Sequence, residues 1–248
     1  MEIDRAAKAL ADATSVVVFT GAGVSAESGV PTFRDSDGLW AGHAIEAVAT
    51  PGGYARDPAL VWGFYNARRA NVAAVEPNPA HDAIAELERL TSNVTVVTQN
   101  VDGLHQRSGS TTVLELHGRL STTRCIGCGA VEERGLVDLG TAPQCPQCGS
   151  KLRPNVVWFG EELPQEIWRG AKAAVAGCDV LLVVGTSAVV YPAAGLIQLA
   201  KSRESATIIE CNLTPTGSSH HADIGLYGPA GVLLPQVLKQ LRSHRECR

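Results

Sequence analysis

Short apolar runs alternate along the chain with longer stretches in which apolar residues recur every three or four positions. The runs SVVVFT (15–20), VTVVT (94–98), VLLVV (180–184) and ATIIE (206–210) do not alternate between apolar and polar. Strands of that kind are buried on both faces, as in a parallel sheet covered by helices. Between them, NPAHDAIAELERL (78–90), PQEIWRGAKAAVAG (164–177) and PAAGLIQLAKS (192–202) carry apolar residues at helical spacing. GPAGVLLPQVLKQLRS (228–243) predicts a closing helix. The pattern is α/β, a Rossmann-like doubly wound parallel sheet.

Two stretches interrupt it. Residues 34–78 contain no second strand and read as loop plus helix. Residues 121–157 hold four cysteines among many turn residues. The expected division is a main domain from 1–33, 79–120 and 158–248. Segments 34–78 and 121–157 would form a small second domain, a helical insertion plus a zinc ribbon.

The 248 residues are 45% hydrophobic, enough for a buried core and too apolar for a disordered chain. Net charge is −4, which argues against a general nucleic-acid binder, and no direct nucleic-acid binding is expected. The acidic N-terminal stretch does not resemble a signal peptide, and no apolar run approaches the ~18 residues of a membrane span. Seven cysteines without a secretion signal point to reduced thiols or metal, and to the cytoplasm.

Cys125 and Cys128 form one C-x-x-C pair, and Cys145 and Cys148 form a second, sixteen residues further on. This spacing favours tetrahedral Zn²⁺ held by four thiolates. Four protein ligands leave no open position, so the ion would be structural. Gly129 and Gly149 follow the pairs and help the backbone turn. Cys178, Cys211 and Cys247 have no partner spacing and read as core or surface thiols.

After the first strand, Gly21, Gly23 and Ala26 fit G-x-G-x-x-A. Small residues there let a backbone approach a pyrophosphate, although a tight strand-to-helix turn needs the same residues. A dinucleotide dehydrogenase would carry an acidic ribose reader after a second strand, and no such strand follows.

The longer run GAGVSAESGVPTFR (21–34) resembles the NAD-binding loop of the sirtuin family of NAD-dependent protein-lysine deacylases. The resemblance continues through TQNVDGLHQRSG (98–109), LHG (116–118), RPNVVWFGE (153–161), GTS (185–187), Asn212 and GPAG (228–231). It implies that NAD⁺ is a co-substrate. The acyl-lysine carbonyl attacks C1′ of the nicotinamide ribose, and a general base then activates a ribose hydroxyl. The products are free lysine, nicotinamide and O-acyl-ADP-ribose. His117 would be the base, suited by an ordinary pKa near ~6.5. Asn100 would order the ribose and nearby water, Gln99 would reach the ribose, and Asp102 would hold the nicotinamide carboxamide. Arg34 would face the pyrophosphate, and Phe33 would cover C1′ against water. Gly21, Ala22, Gly23, Ser25, Gly185, Thr186, Ser187, Asn212 and Ala230 complete the implied NAD site. Val156, Phe159 and Gly160 lie in the segment expected to pair with substrate backbone, which implies loose peptide specificity. The bare alternatives are ordinary: turn residues at 99–102 and 185–187, a hydrogen-bonded structural histidine, a core strand containing Trp158. One departure concerns the adenosine end, where the family often has Asn-x-Glu and this chain has Thr214.

The stretch GFYNARRA (63–70) asks for its own reading. Asp57 and Pro58 form a sound helix start. Tyr65 and Arg68 are then adjacent on one face, with Arg69 about 100° away. A hydroxyl and a guanidinium so placed suit a carboxylate. A surface arginine lying over an aromatic ring is the plain alternative. In the sirtuin subgroup that removes succinyl and malonyl groups, a Tyr-x-x-Arg pair reads the distal acyl carboxylate, and Ala49 matches a small residue of that pocket. The resemblance therefore implies acetyl, succinyl and malonyl removal from acylated lysines of protein substrates. Two rivals are an NAD-dependent mono-ADP-ribosyltransferase and a non-enzymatic zinc-ribbon adaptor.

Overall fold

The structure is a computed structural model that describes residues 1–32, 39–40, 42–203 and 205–246. The chain opens with α1 (Glu2–Asp12), β1 (Ser15–Thr20) and the single turn α2 (Gly23–Ala26). Next come the two-residue strands β2 (Leu39–Trp40) and β3 (His43–Ala44), then α3 (Ile45–Val48), α4 (Pro51–Arg56) and α5 (Pro58–Ala73). Then α6 (Pro79–Leu90), β4 (Asn93–Thr98), α7 (Leu104–Arg107) and β5 (Val113–Glu115) follow. A second module contributes β6 (Gly118–Cys125), β7 (Val131–Glu133) and β8 (Leu152–Val156). The chain ends with α8 (Gln165–Gly177), β9 (Val180–Val184), α9 (Gly195–Lys201), β10 (Thr207–Asn212), β11 (Ile224–Tyr227) and α10 (Ala230–Glu246).

Six strands form one parallel sheet in the order β11-β10-β9-β1-β4-β5. Its central strands are buried almost throughout, the physical reason their sequences do not alternate. One face packs against α1, α6 and α10 through residues such as Leu10, Ile84 and Leu238. The other packs against α8 and α9 through Phe19, Val175 and Leu196. This is the expected doubly wound architecture.

A third cluster lies in the smaller part, joining Val61, Trp62 and Tyr65 of α5 to Leu120, Leu152 and the cysteines Cys125 and Cys145. There β7-β6-β8 form an antiparallel sheet. Asp57 caps α5 by accepting the Leu60 N–H at 2.9 Å, with Pro58 in the first turn, as the sequence predicts.

Three details differ from the sequence reading. The segment 34–78 does hold strand structure, a minimal antiparallel hairpin of β2 and β3 too short to show a period. Strands β5 and β11 extend the sheet at its edges, where few residues pair and little apolar signal is needed. Strand β8 ends at Val156, so Trp158 lies beyond it, buried but not in a core strand.

Candidate active site

Parallel strands bring their carboxyl ends to one lip of the sheet, the usual place for a ligand in this architecture. The loops after β1, β4, β5, β9, β10 and β11 all meet there, around a cleft of about 780 Å³. That volume suits a ligand of nucleotide size. The lip contributes Gly21, Ala22, Gly23, Ser25, Gln99, Asn100, Asp102 and His117. It also contributes Gly185, Thr186, Ser187, Asn212 and Ala230. The far side is closed by Ala49, Tyr65, Arg68, Val156, Phe159 and Gly160. Every described residue singled out from the sequence for NAD, acyl lysine or catalysis therefore lines one cavity. Phe33 and Arg34 lie outside the described residues, as does Cys247.

The glycines of the first loop have a packing role that the sequence does not reveal. A Cβ on Gly23 would come within 2.8 Å of the Gly185 backbone, and the Gly23 N–H donates to the Gly185 carbonyl at 2.7 Å. Gly185 itself has φ of +59°, and a Cβ there would sit 2.3 Å from the Val24 nitrogen. The loops after β1 and β9 thus interlock backbone to backbone, leaving Thr186 to accept the Gln99 amide at 2.9 Å. Asn212 donates to the Thr186 carbonyl at 2.8 Å and ties the loop after β10 to the same point.

Behind the first loop runs a closed polar network. His81 Nδ1 accepts the Asn78 N–H at 3.2 Å, which leaves the proton on Nε2 to face Ser25 Oγ at 3.3 Å. Asn100 donates to the same hydroxyl at 3.0 Å, and Ser25 donates onward to Asp102 at 2.8 Å. Asp102 also accepts the Leu104 N–H at 2.9 Å. Burial raises its pKa, while the Leu104 and Ser25 hydrogen bonds and the Arg68 charge pull the other way. His105 donates to Thr20 Oγ1 at 2.9 Å and stacks edge-on against His81 at 5.0 Å. Burial lowers the His81 pKa to about 4 and the His105 pKa to about 3, so both are neutral at pH 7. Apart from the Asn78 cap of α6, the partners of these histidines sit on other elements and leave no local signal in the sequence.

His117 stands at the entrance to β6. Its Nδ1 lies 2.9 Å from the Gln99 carbonyl, which has no proton to give, so Nδ1 carries the hydrogen. That fixes the tautomer with Nε2 as a free acceptor on the cleft. Burial lowers the His117 pKa below its ordinary value, with the Gln99 hydrogen bond opposing. The neutral base is therefore the prevailing form at pH 7.

At the opposite end, Tyr65 is fully buried apart from its place on the cavity wall. Its oxygen accepts the Trp158 indole N–H at 2.9 Å, which leaves the phenol hydrogen to donate. Burial pushes the Tyr65 pKa up to about 12, so the hydroxyl stays protonated. Trp158 is held in turn by the Arg153 guanidinium, 3.4 Å from its ring centre, and by the Glu161 carboxylate, which accepts the Trp158 backbone N–H. Arg68 is half-buried, with its guanidinium 5.7 Å from the Phe64 ring centre. Both expected features coexist: the arginine leans over an aromatic ring and also lines the cavity.

The four cysteines converge as their spacing predicts. All four sulfurs lie within 4.8 Å of one another, with Cys125–Cys148 at 3.4 Å and Cys128–Cys145 at 3.8 Å. Zn–S bonds of ~2.3 Å in a tetrahedron require S–S edges of roughly 3.8 Å, so the residues fit the ion. The Gly127 and Cys128 N–H groups point at Cys125 Sγ, at 3.3 and 3.4 Å, and favour its thiolate. Cys178 and Cys211 are buried elsewhere, as core thiols.

The class these features define is that of enzymes using a dinucleotide beside a structural zinc module, and comparison with known proteins gives the family. The sequence profile described as the Sir2 family matches residues 21–192. The chain is 49% identical over 239 residues to NAD-dependent protein deacylase 2 of Pyrobaculum aerophilum, covering 96% of each protein. It is 50% identical over 240 residues to NAD-dependent protein deacylase 1 of Pseudomonas aeruginosa, covering 93% of this chain and 96% of that one. Among solved structures, a Sir2 homolog–NAD complex matches with a TM-score of 0.92 and 44% identity, covering 98% of this chain and 94% of that chain. A Sir2 protein bound to a myristoylated histone peptide matches with a TM-score of 0.82 and 39% identity, covering 100% and 99%. The chain belongs to the Sir2 family. It is an NAD-dependent protein deacylase, with a cysteine cluster fitted to structural zinc.

Proposed function

We propose that this deacylase removes acetyl groups from protein lysines and also succinyl and malonyl groups. The observation that carries this reading is the placement of Tyr65 and Arg68 on the wall of the cleft that holds His117. A protonated phenol and a guanidinium side by side match a carboxylate, and charged hydrogen bonds are the stronger kind. Ala49, buried on the same wall, adds little bulk where a longer acyl chain needs room.

NAD⁺ supplies an electrophilic ribose carbon and a ribose hydroxyl to the reaction. The chain's own groups do the rest. Ser25, Asn100 and Asp102 present a fixed donor and acceptor pattern for the nicotinamide half, because each is already oriented by the others. Gln99, Thr186, Ser187 and Asn212 face the ribose and phosphate side from the loops after β4, β9 and β10. His117 Nε2 accepts the proton of the ribose hydroxyl, and the Gln99 carbonyl steadies the imidazolium so formed. The end of β8 at Val156 and the turn that follows it through Phe159 and Gly160 would receive the substrate backbone.

The test is a matched pair of peptides, acetyl-lysine and succinyl-lysine, with saturating NAD⁺ and nicotinamide release as readout. Arg68→Met is expected to abolish most succinyl turnover and spare acetyl turnover. Equal loss of both would make Arg68 a structural residue, and no succinyl turnover by the wild type would make this a plain deacetylase.

A further inference from the structure

Two arginines sit side by side on α5, and they face different worlds. Arg68 lines the cleft. Arg69 is 1% exposed and spends its whole guanidinium on backbone carbonyls of the zinc module. Its Nη1 donates to Leu120 at 2.7 Å, Nε to Val137 at 3.1 Å, and Nη2 to Gly135 at 2.5 Å. Three residues earlier, on the same face, Asn66 donates to the Gly140 carbonyl at 3.0 Å and accepts the Leu139 N–H at 3.3 Å. Residues 135–140 belong to the turn between the two cysteine pairs. Trp62 Nε1 and Tyr54 Oη add bonds to the Leu152 carbonyl at 3.1 and 2.7 Å, next to the second pair.

The helix therefore carries two pairs at the same spacing, offset by one residue. Tyr65 and Arg68 face the acyl end of the cleft, and Asn66 and Arg69 face the turn held by the cysteines. One residue along a helix is a rotation of about 100°, so rotating or sliding α5 moves both pairs together. We propose that Asn66 and Arg69 are positioning residues for acyl specificity: they lock α5 to the zinc module and so fix where Arg68 meets the distal carboxylate. This inference rests on the carboxylate reading of Tyr65 and Arg68. The acetyl group makes no demand at that depth, because it has no atom to reach the guanidinium. Succinyl does, since a two-point contact between guanidinium and carboxylate is sensitive to displacements of about 1 Å.

The experiment uses the zinc-loaded enzyme and two variants. Arg69→Lys keeps the charge but cannot reach three carbonyls set in a fork. Asn66→Ala is the milder change and covers the case in which the lysine variant folds poorly. For each, KM and kcat are measured with acetyl and succinyl peptides, and peptide Kd is measured separately by calorimetry with zinc content checked. The expected result is an increase of about tenfold in KM and Kd for the succinyl peptide, acetyl values within about twofold, and zinc unchanged. A wild-type preference kept intact by both variants overturns the inference alone, as does a parallel loss of both acyl activities. A wild type without succinyl turnover sinks the carboxylate reading first, and this inference with it.

Discussion

Trp158 donates its indole N–H to the phenol oxygen of Tyr65 at 2.9 Å, across 93 residues of sequence. Both side chains are buried, at 3% and 0% exposure, so neither polar atom has water to fall back on. The bond decides which way the phenol hydrogen points, because an oxygen that accepts from the indole is left to donate elsewhere.

Tyr65→Phe tests that donation. Removing the hydroxyl leaves the Trp158 N–H buried without its acceptor, at a cost of about 1–3 kcal/mol in stability. It also removes the donor proposed to meet an acyl carboxylate. Succinyl kcat/KM should fall by roughly tenfold while acetyl kcat/KM stays within about twofold. Denaturant unfolding and paired peptide kinetics check the two effects.

As the proposed base, His117 should set the acid limb of the pH profile through its neutral state. A general base works only when unprotonated, and burial lowers its pKa from the ordinary value. Activity should therefore persist below pH 6.5, falling only as pH drops through the lowered pKa. A kcat/KM profile from pH 5 to 8 with an acetyl peptide measures the limb. A midpoint above the ordinary histidine value would contradict the role.

His81 and His105 make a separate prediction about stability. Both are buried neutral, with pKa values lowered to about 4 and about 3. In the unfolded chain each binds a proton near pH ~6.5, so the unfolded state gains protons first as pH falls. Their stabilising effect is full above that pH and is lost progressively below it, by roughly 3 kcal/mol each at pH 4. Urea unfolding at pH 7, 5.5 and 4.5 should show the slide, and His105→Gln should flatten it.

Cys148→Ser should reduce zinc from one ion per chain toward none, since a hydroxyl is a poor replacement for a thiolate. The module has little core besides the residues packed on Cys125 and Cys145, so its melting should drop by several degrees or separate from that of the sheet. Elemental analysis and calorimetry read both.

Much of this molecule is legible in its sequence, for local reasons. The buried parallel strands announce themselves by unbroken apolar runs, the cysteine pairs by their spacing, and Asp57 with Pro58 by the grammar of helix starts. What stays hidden depends on distant partners. Helical spacing in GFYNARRA separates Arg68 from Arg69, but what Arg69 holds is not legible there, since its carbonyl partners lie more than fifty residues away. Trp158 reads as core because its bond to Tyr65 has no signature in either neighbourhood. His81 and His105 carry no motif of their own, and their roles emerge only when α6 and α7 are laid beside β1 and the first loop. The glycines at 21 and 23 suggest phosphate binding, whereas the packing against Gly185 is visible only in three dimensions.

The imidazole of His81 belongs to two structures at once. One nitrogen finishes the first turn of α6 by taking the Asn78 N–H, and the other touches the serine that holds Asp102 in place. Helix ends are where proteins ordinarily breathe, opening and closing without consequence. Here that freedom is withdrawn: any fraying of α6 at Asn78 must unseat the ring that braces Ser25 and, through it, Asp102 on the cleft wall. Amide exchange at the start of that helix should therefore slow when the dinucleotide binds, although neither Asn78 nor His81 lines the cleft.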